Sequence, residues 1–148
     1  MFLLILSISL TTGEMKAQTT EYQNLMDKIC QYSNDYSGVY NSRQTWTVSY
    51  EGCTLTDRYY FDDELTVKIE LDLANMEKAD VEKRFYHAIV VYPTDQNPEY
   101  LDVTRYEDGK AEKITDGIYY NLMVPADDKW EMKKMMEQAI EMCKKEEK

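Results

Sequence analysis

The sequence predicts an α+β domain: one helix, about seven antiparallel strands, and a closing amphipathic helix. The strands are expected to form a bent sheet or partly open barrel capped by the last helix; the alternative is an open antiparallel sheet packed on two helices. Three observations carry this. The apolar period is helical at both ends of the chain and two-residue in between. Tight-turn signals separate the middle segments. Helical patterns occur only at the ends, so nothing supplies parallel crossovers.

The first helix is predicted over Glu21–Ser33. Thr20 and Gln23 make a capping box, and Tyr22, Leu25, Met26 and Ile29 recur at helical spacing. Ser37-Gly38 and Asn41-Ser42 read as the following loop. Thr45–Tyr50 then alternates, with Trp46, Val48 and Tyr50 on one face. Glu51-Gly52 turns into a second strand, Cys53–Phe61, and Asp62-Asp63-Glu64 turns into a third. Leu65, Val67, Ile69 and Leu71 alternate there with polar residues, so these three strands form a meander. Leu73–Lys83 reads as a connection with one helical turn at Asn75–Asp80.

Arg84–Tyr92 is the next strand, stopped by Pro93. Thr94–Pro98 is a loop, Tyr100–Tyr106 a strand, and Asp108-Gly109 a hairpin turn into Lys110–Thr115. Asp116-Gly117 leads into Ile118–Val124, and Pro125 opens the last helix. Asp127 and Asp128 suit its first turn, and Lys144 and Lys145 its last. Met132, Met135, Met136, Ala139, Ile140 and Cys143 form one apolar stripe, which should seal the sheet core.

Strands ending in such a helix resemble the pleckstrin-homology-like superfamily, and Trp130 is similar to that superfamily's helix tryptophan. The resemblance covers roughly Thr45–Cys143 and implies a bent sheet capped at one open end by the helix. The basic loop of phosphoinositide-binding members is missing here, since the first turns read Glu51-Gly52 and Asp62-Asp63-Glu64. Lipid binding is not carried over.

Met1–Leu10 is an apolar run too short to cross a membrane. It has the length of a signal-peptide core and is followed by small and polar residues. Residues 1–17 are read as a signal peptide cut after Ala17, and 18–148 as a single domain, exported to the periplasm or beyond and soluble after cleavage. No basic residue precedes the run, and Met15 stands where a small residue is preferred. The 148 residues carry a net charge of −11. Such a surface repels phosphate backbones and anionic headgroups, so nucleic acid is not an expected partner. No second long apolar segment follows the first, so stable membrane insertion is not expected either.

Three cysteines, Cys30, Cys53 and Cys143, allow one disulfide and leave one thiol. Cys143 lies on the apolar stripe and Cys53 opens a strand that helix can reach, so Cys53–Cys143 is favoured over pairing through Cys30. His87 is the single histidine, set mid-strand, with no Gly-x-Ser-x-Gly elbow or papain-type cysteine context. Several-histidine zinc sites are therefore excluded. The acidic turns lack the spacing of a calcium loop, and no glycine-rich phosphate loop occurs. No catalytic, metal-binding or cofactor-binding residue is assigned.

Tyrosine is over-represented, with 13 residues. Tyr59-Tyr60 and Tyr119-Tyr120 each place one ring on either sheet face. Tyrosine suits sheets in any case, yet an outward ring can also stack a sugar or peptide and bond it through its hydroxyl. The reading is a non-enzymatic exported domain that binds a protein, peptide or glycan through Tyr59, Tyr60, Tyr119 and Tyr120. An accessory or inhibitor-like domain of an envelope enzyme is the second reading, and a hydrolase using His87 the third.

Overall fold

The computed structural model describes residues 8–82, 88–114 and 119–146. Helix α1 spans Ile8–Tyr40. Tyr22, Met26, Ile29, Cys30, Ser33 and Ser37 are buried along one stripe of it. The helix therefore exceeds the expected Glu21–Ser33 at both ends and absorbs Ser37-Gly38. The stripe continues past Ser33 because small hydroxylated side chains let α1 approach a strand closely and bond to it.

That strand is β1, Gln44–Glu51, followed by β2, Thr54–Phe61, and β3, Glu64–Asp72. Phe61 pairs with Glu64, and Asp62 and Asp63 both have positive φ, 48° and 67°, which makes a two-residue type I′ turn. After a 3₁₀ turn at Leu73–Asn75 the chain enters β4, Met76–Glu82. This segment was expected to be a connection with a helical turn. A bulge between Met76 and Lys78 breaks its alternation, and with it the two-residue period.

Next come β5, Ala88–Pro93; β6, Leu101–Glu107; β7, Lys110–Ile114; β8, Tyr120–Met123; and α2, Lys129–Glu146. Among the described residues there are thus eight strands rather than about seven. All pair antiparallel, in a five-stranded sheet of order β1-β2-β3-β6-β7 and a three-stranded sheet of order β4-β5-β8. The fold is α+β as expected, but neither sheet closes into a barrel. The open arrangement packed on two helices describes it better.

One core unites the elements. Met26 and Ile29 of α1 meet Trp46, Leu55 and Leu71 of the larger sheet, Ile89 and Leu122 of the smaller, and the α2 stripe. Met132, Met135, Met136, Ala139, Ile140 and Cys143 are all buried, as their spacing predicts. Trp130, on the first turn of α2, is 58% exposed. Cys53 and Cys143 form a disulfide, with Cα atoms 5.8 Å apart, and Cys30 is the buried free thiol. The bridge pins α2 to the β1–β2 turn, across a sequence separation of 90.

Candidate functional site

β1 is the edge of the larger sheet, and an edge strand exposes a row of unpaired backbone groups. Here α1 takes them. The Asn34 side chain accepts from Val48 N–H at 2.6 Å and donates to Val48 C=O at 2.9 Å. Ser37 Oγ accepts from Trp46 N–H at 2.7 Å. The edge of β8 is occupied as well: Met123 C=O accepts from Ser33 Oγ at 2.8 Å, and Asn121 C=O from the Tyr59 hydroxyl at 3.2 Å.

These contacts hold α1, β1–β3 and β8 around a cleft of about 500 Å³. Such a volume suits a small ligand. Its walls come from Tyr40 at the end of α1, Gln44, Thr45 and Trp46 of β1, and Tyr59, Tyr60 and Phe61 of β2. Thr66, Val67 and Ile69 of β3 and Tyr119, Asn121 and Met123 at β8 complete it. Trp46 is buried at its base, held by its indole N–H 3.0 Å from Ser33 Oγ, with the Tyr40 ring 5.5 Å away and the Tyr59 ring 6.5 Å away. At the rim, Tyr40, Phe61 and Tyr119 are 40%, 43% and 48% exposed. None of the described lining residues is charged. The nearest ion pair, Arg43 with Asp62, is bidentate at 2.8 and 2.6 Å and lays the guanidinium 4.8 Å over the Phe61 ring.

Three of the four expected surface tyrosines come together here. Tyr59 and Tyr60 flank a β-bulge, and both line the cleft although strand alternation alone would set them on opposite faces. Tyr119 joins them from the position just before β8. Tyr120 does not. It is 1% exposed, and its hydroxyl donates to Asp57 Oδ2 at 2.7 Å. Its inward parity on β8 makes it core, not surface.

Asp57 is fully buried on the inner face of β2, between Val48 and Ile69 on the neighbouring strands. Its Oδ1 has no hydrogen-bond partner. Burial pushes its carboxyl up to about 6, against the opposing pull of the Tyr120 and Tyr59 hydroxyls. Burial next to this carboxylate holds the Tyr120 hydroxyl far above its ordinary value.

Sequence reasoning did not single out Trp46, Phe61, Tyr40 or Asp57 as site residues. Asp57 carried a readable signal, because it shares strand parity with Leu55, Tyr59 and Phe61 and is the charged member of an apolar face. His87 lies outside the described residues. Among the described residues, no group of three or more His, Cys, Asp or Glu side chains is placed to hold a metal ion. Comparison with family models, with curated proteins and with solved structures finds no match.

Proposed function

We propose that this protein is a non-catalytic binding domain whose ligand site is the aromatic cleft between α1, β1–β3 and β8. The observation that supports this is the convergence of rings from α1, β1, β2 and the start of β8 on one concavity, with Tyr40, Phe61 and Tyr119 substantially exposed at its mouth. Large apolar side chains left together in water are characteristic of binding sites. Beneath them Trp46 is fixed by hydrogen bonds to α1, so the base of the site is rigid before any ligand arrives.

The domain acts outside the cytosol on this reading. A disulfide persists in an oxidising compartment, and Cys53–Cys143 joins two elements of the core. Cleavage after Ala17 leaves every core side chain described on α1, from Tyr22 onward, in the mature chain. N-terminal sequencing of the exported protein should begin at Gln18; a chain still starting at Met1 would overturn the cleavage.

Amide-resolved NMR during titration with a mixed library of oligosaccharides, short peptides and uncharged small molecules tests the cleft. Ligands should perturb Tyr59–Phe61, Thr66–Ile69 and Tyr119–Met123 together. Perturbations confined to α2 or β7, or none from any class, would overturn the assignment.

A further inference from the structure

The chain is 30% charged and carries a net charge of −11, yet the 13 described residues lining the cleft include no Asp, Glu, Lys or Arg. An unpaired ligand charge entering such a site would lose its hydration without gaining a counter-charge. The lining therefore selects against phosphates, uronates and free amino acids. It is not purely apolar either: Gln44, Thr45, Thr66 and Asn121 supply neutral donors and acceptors among the rings.

Two kinds of uncharged partner could meet rings and neutral polar groups together, an extended peptide and a saccharide. A peptide added as a strand draws its affinity from an unpaired sheet edge. Much of the edge beside this cleft is taken: Trp46 N–H and both backbone groups of Val48 are bonded by α1, and the Asn121 and Met123 carbonyls by Tyr59 and Ser33. What remains on offer is ring faces, hydroxyls and side-chain amides. A pyranose presents the complement, apolar C–H faces ringed by hydroxyls and no charge. Tyrosine serves such a surface well, because its ring is apolar and its tip polar.

We infer that the cleft binds an uncharged saccharide, stacked on Tyr119, Phe61 and Tyr40 with its hydroxyls met by Gln44, Thr66 and Asn121. This rests on the cleft being the binding site, as proposed above. Arg43, already bidentate with Asp62, holds one side of the Phe61 ring and contributes no free charge to the mouth.

The test uses the full-length folded protein carrying Trp130→Phe, which leaves Trp46 at the base of the cleft as the sole tryptophan. Immobilised neutral oligosaccharides, their uronic-acid counterparts and uncharged tyrosine-containing peptides are screened for binding. Hits are then titrated against Trp46 fluorescence. A neutral oligosaccharide should bind saturably and shift the emission, and its uronate counterpart should bind at least about tenfold more weakly. Tyr119→Ala and Phe61→Ala should each weaken binding by about tenfold or more while the near-UV circular dichroism stays folded. Trp130→Ala, made in the otherwise native chain, should leave affinity unchanged. Peptide binding that shifts Trp46, with no saccharide doing so, would overturn the saccharide and leave the cleft as the site. Preference for the uronates would overturn the uncharged character. Saccharide binding indifferent to Tyr119→Ala and Phe61→Ala, or no response of Trp46 to any probe, would overturn both this inference and the cleft assignment.

Discussion

Asp57 places an ionisable group where water cannot reach it, and the consequence is a pH dependence of known sign. A carboxyl raised from 3.8 to about 6 holds its proton more tightly when folded than when unfolded. Its contribution is present below about pH 4 and is lost as pH rises through about 6. The gap is worth about 3 kcal/mol. Asp57→Asn keeps an acceptor for Tyr120 but cannot ionise. Relative to wild type, it should therefore gain about 2–3 kcal/mol between pH 4 and pH 7 in denaturant unfolding. A constant difference over that range would mean that Asp57 is not buried as described. A second residue-scale effect sits in the type I′ turn. Asp63 has φ 67°, where glycine is at ease, and the β6–β7 hairpin already uses Gly109 at φ 75° in the equivalent place. Asp63→Gly should raise stability by about 0.5–1 kcal/mol in thermal unfolding, while the ion pair through Asp62 stays intact.

The two helices hold the sheets in different ways. α2 acts by burial: Met136 and Ile140 are 0% and 1% exposed. Ile140→Ala removes buried methyl groups and leaves a cavity, and should cost about 2–5 kcal/mol. Lys145→Ala, beyond the stripe, should change stability by less than about 0.5 kcal/mol. α1 acts in part by imitation, since the Asn34 amide stands where a neighbouring strand would be. Asn34→Ala should cost about 1–3 kcal/mol, because Val48 N–H and C=O lose their partner. It also reopens a sheet edge, so light scattering should show self-association that wild type lacks.

The α2 stripe was legible in the sequence because a single period ran unbroken for three turns, and the β1–β3 meander because its turns are chemically distinctive. The full length of α1 was not: Ser33 and Ser37 face a strand rather than an apolar core, so their burial leaves no apolar signature. β4 was hidden by its bulge. Of the site, tyrosine content pointed to Tyr59, Tyr60 and Tyr119, but the convergence of Trp46, Phe61 and Tyr40 depends on how α1 crosses the sheet. No pattern along the chain encodes that crossing.

At the scale of the whole molecule, the disulfide ties the first hairpin to the last helix and so closes a loop over most of the strands. Bridging a separation of 90 restricts the unfolded chain, which corresponds to about 4.6 kcal/mol. Reduction, or Cys53→Ser with Cys143→Ser, should lower unfolding free energy by about that amount while leaving the far-UV spectrum intact below the transition. The core itself is continuous from α1 to α2 through both sheets, so unfolding should remain a single cooperative step in either redox state. Separate transitions for the two sheets, seen by different probes, would contradict that continuity.

Cys30 gives the oxidised protein a clock. It is the one thiol left by the bridge, 8% exposed, and burial pushes it up to about 12, so the native state offers a reagent neither access nor thiolate. An alkylating label can reach it only during the moments when α1 lifts from the sheet. The labelling rate then counts those openings one molecule at a time, against a background free of other thiols. If the helix opens alone, the rate will be insensitive to Ile140→Ala. If opening requires the whole core to come apart, the rate will rise with every kilocalorie that substitution removes.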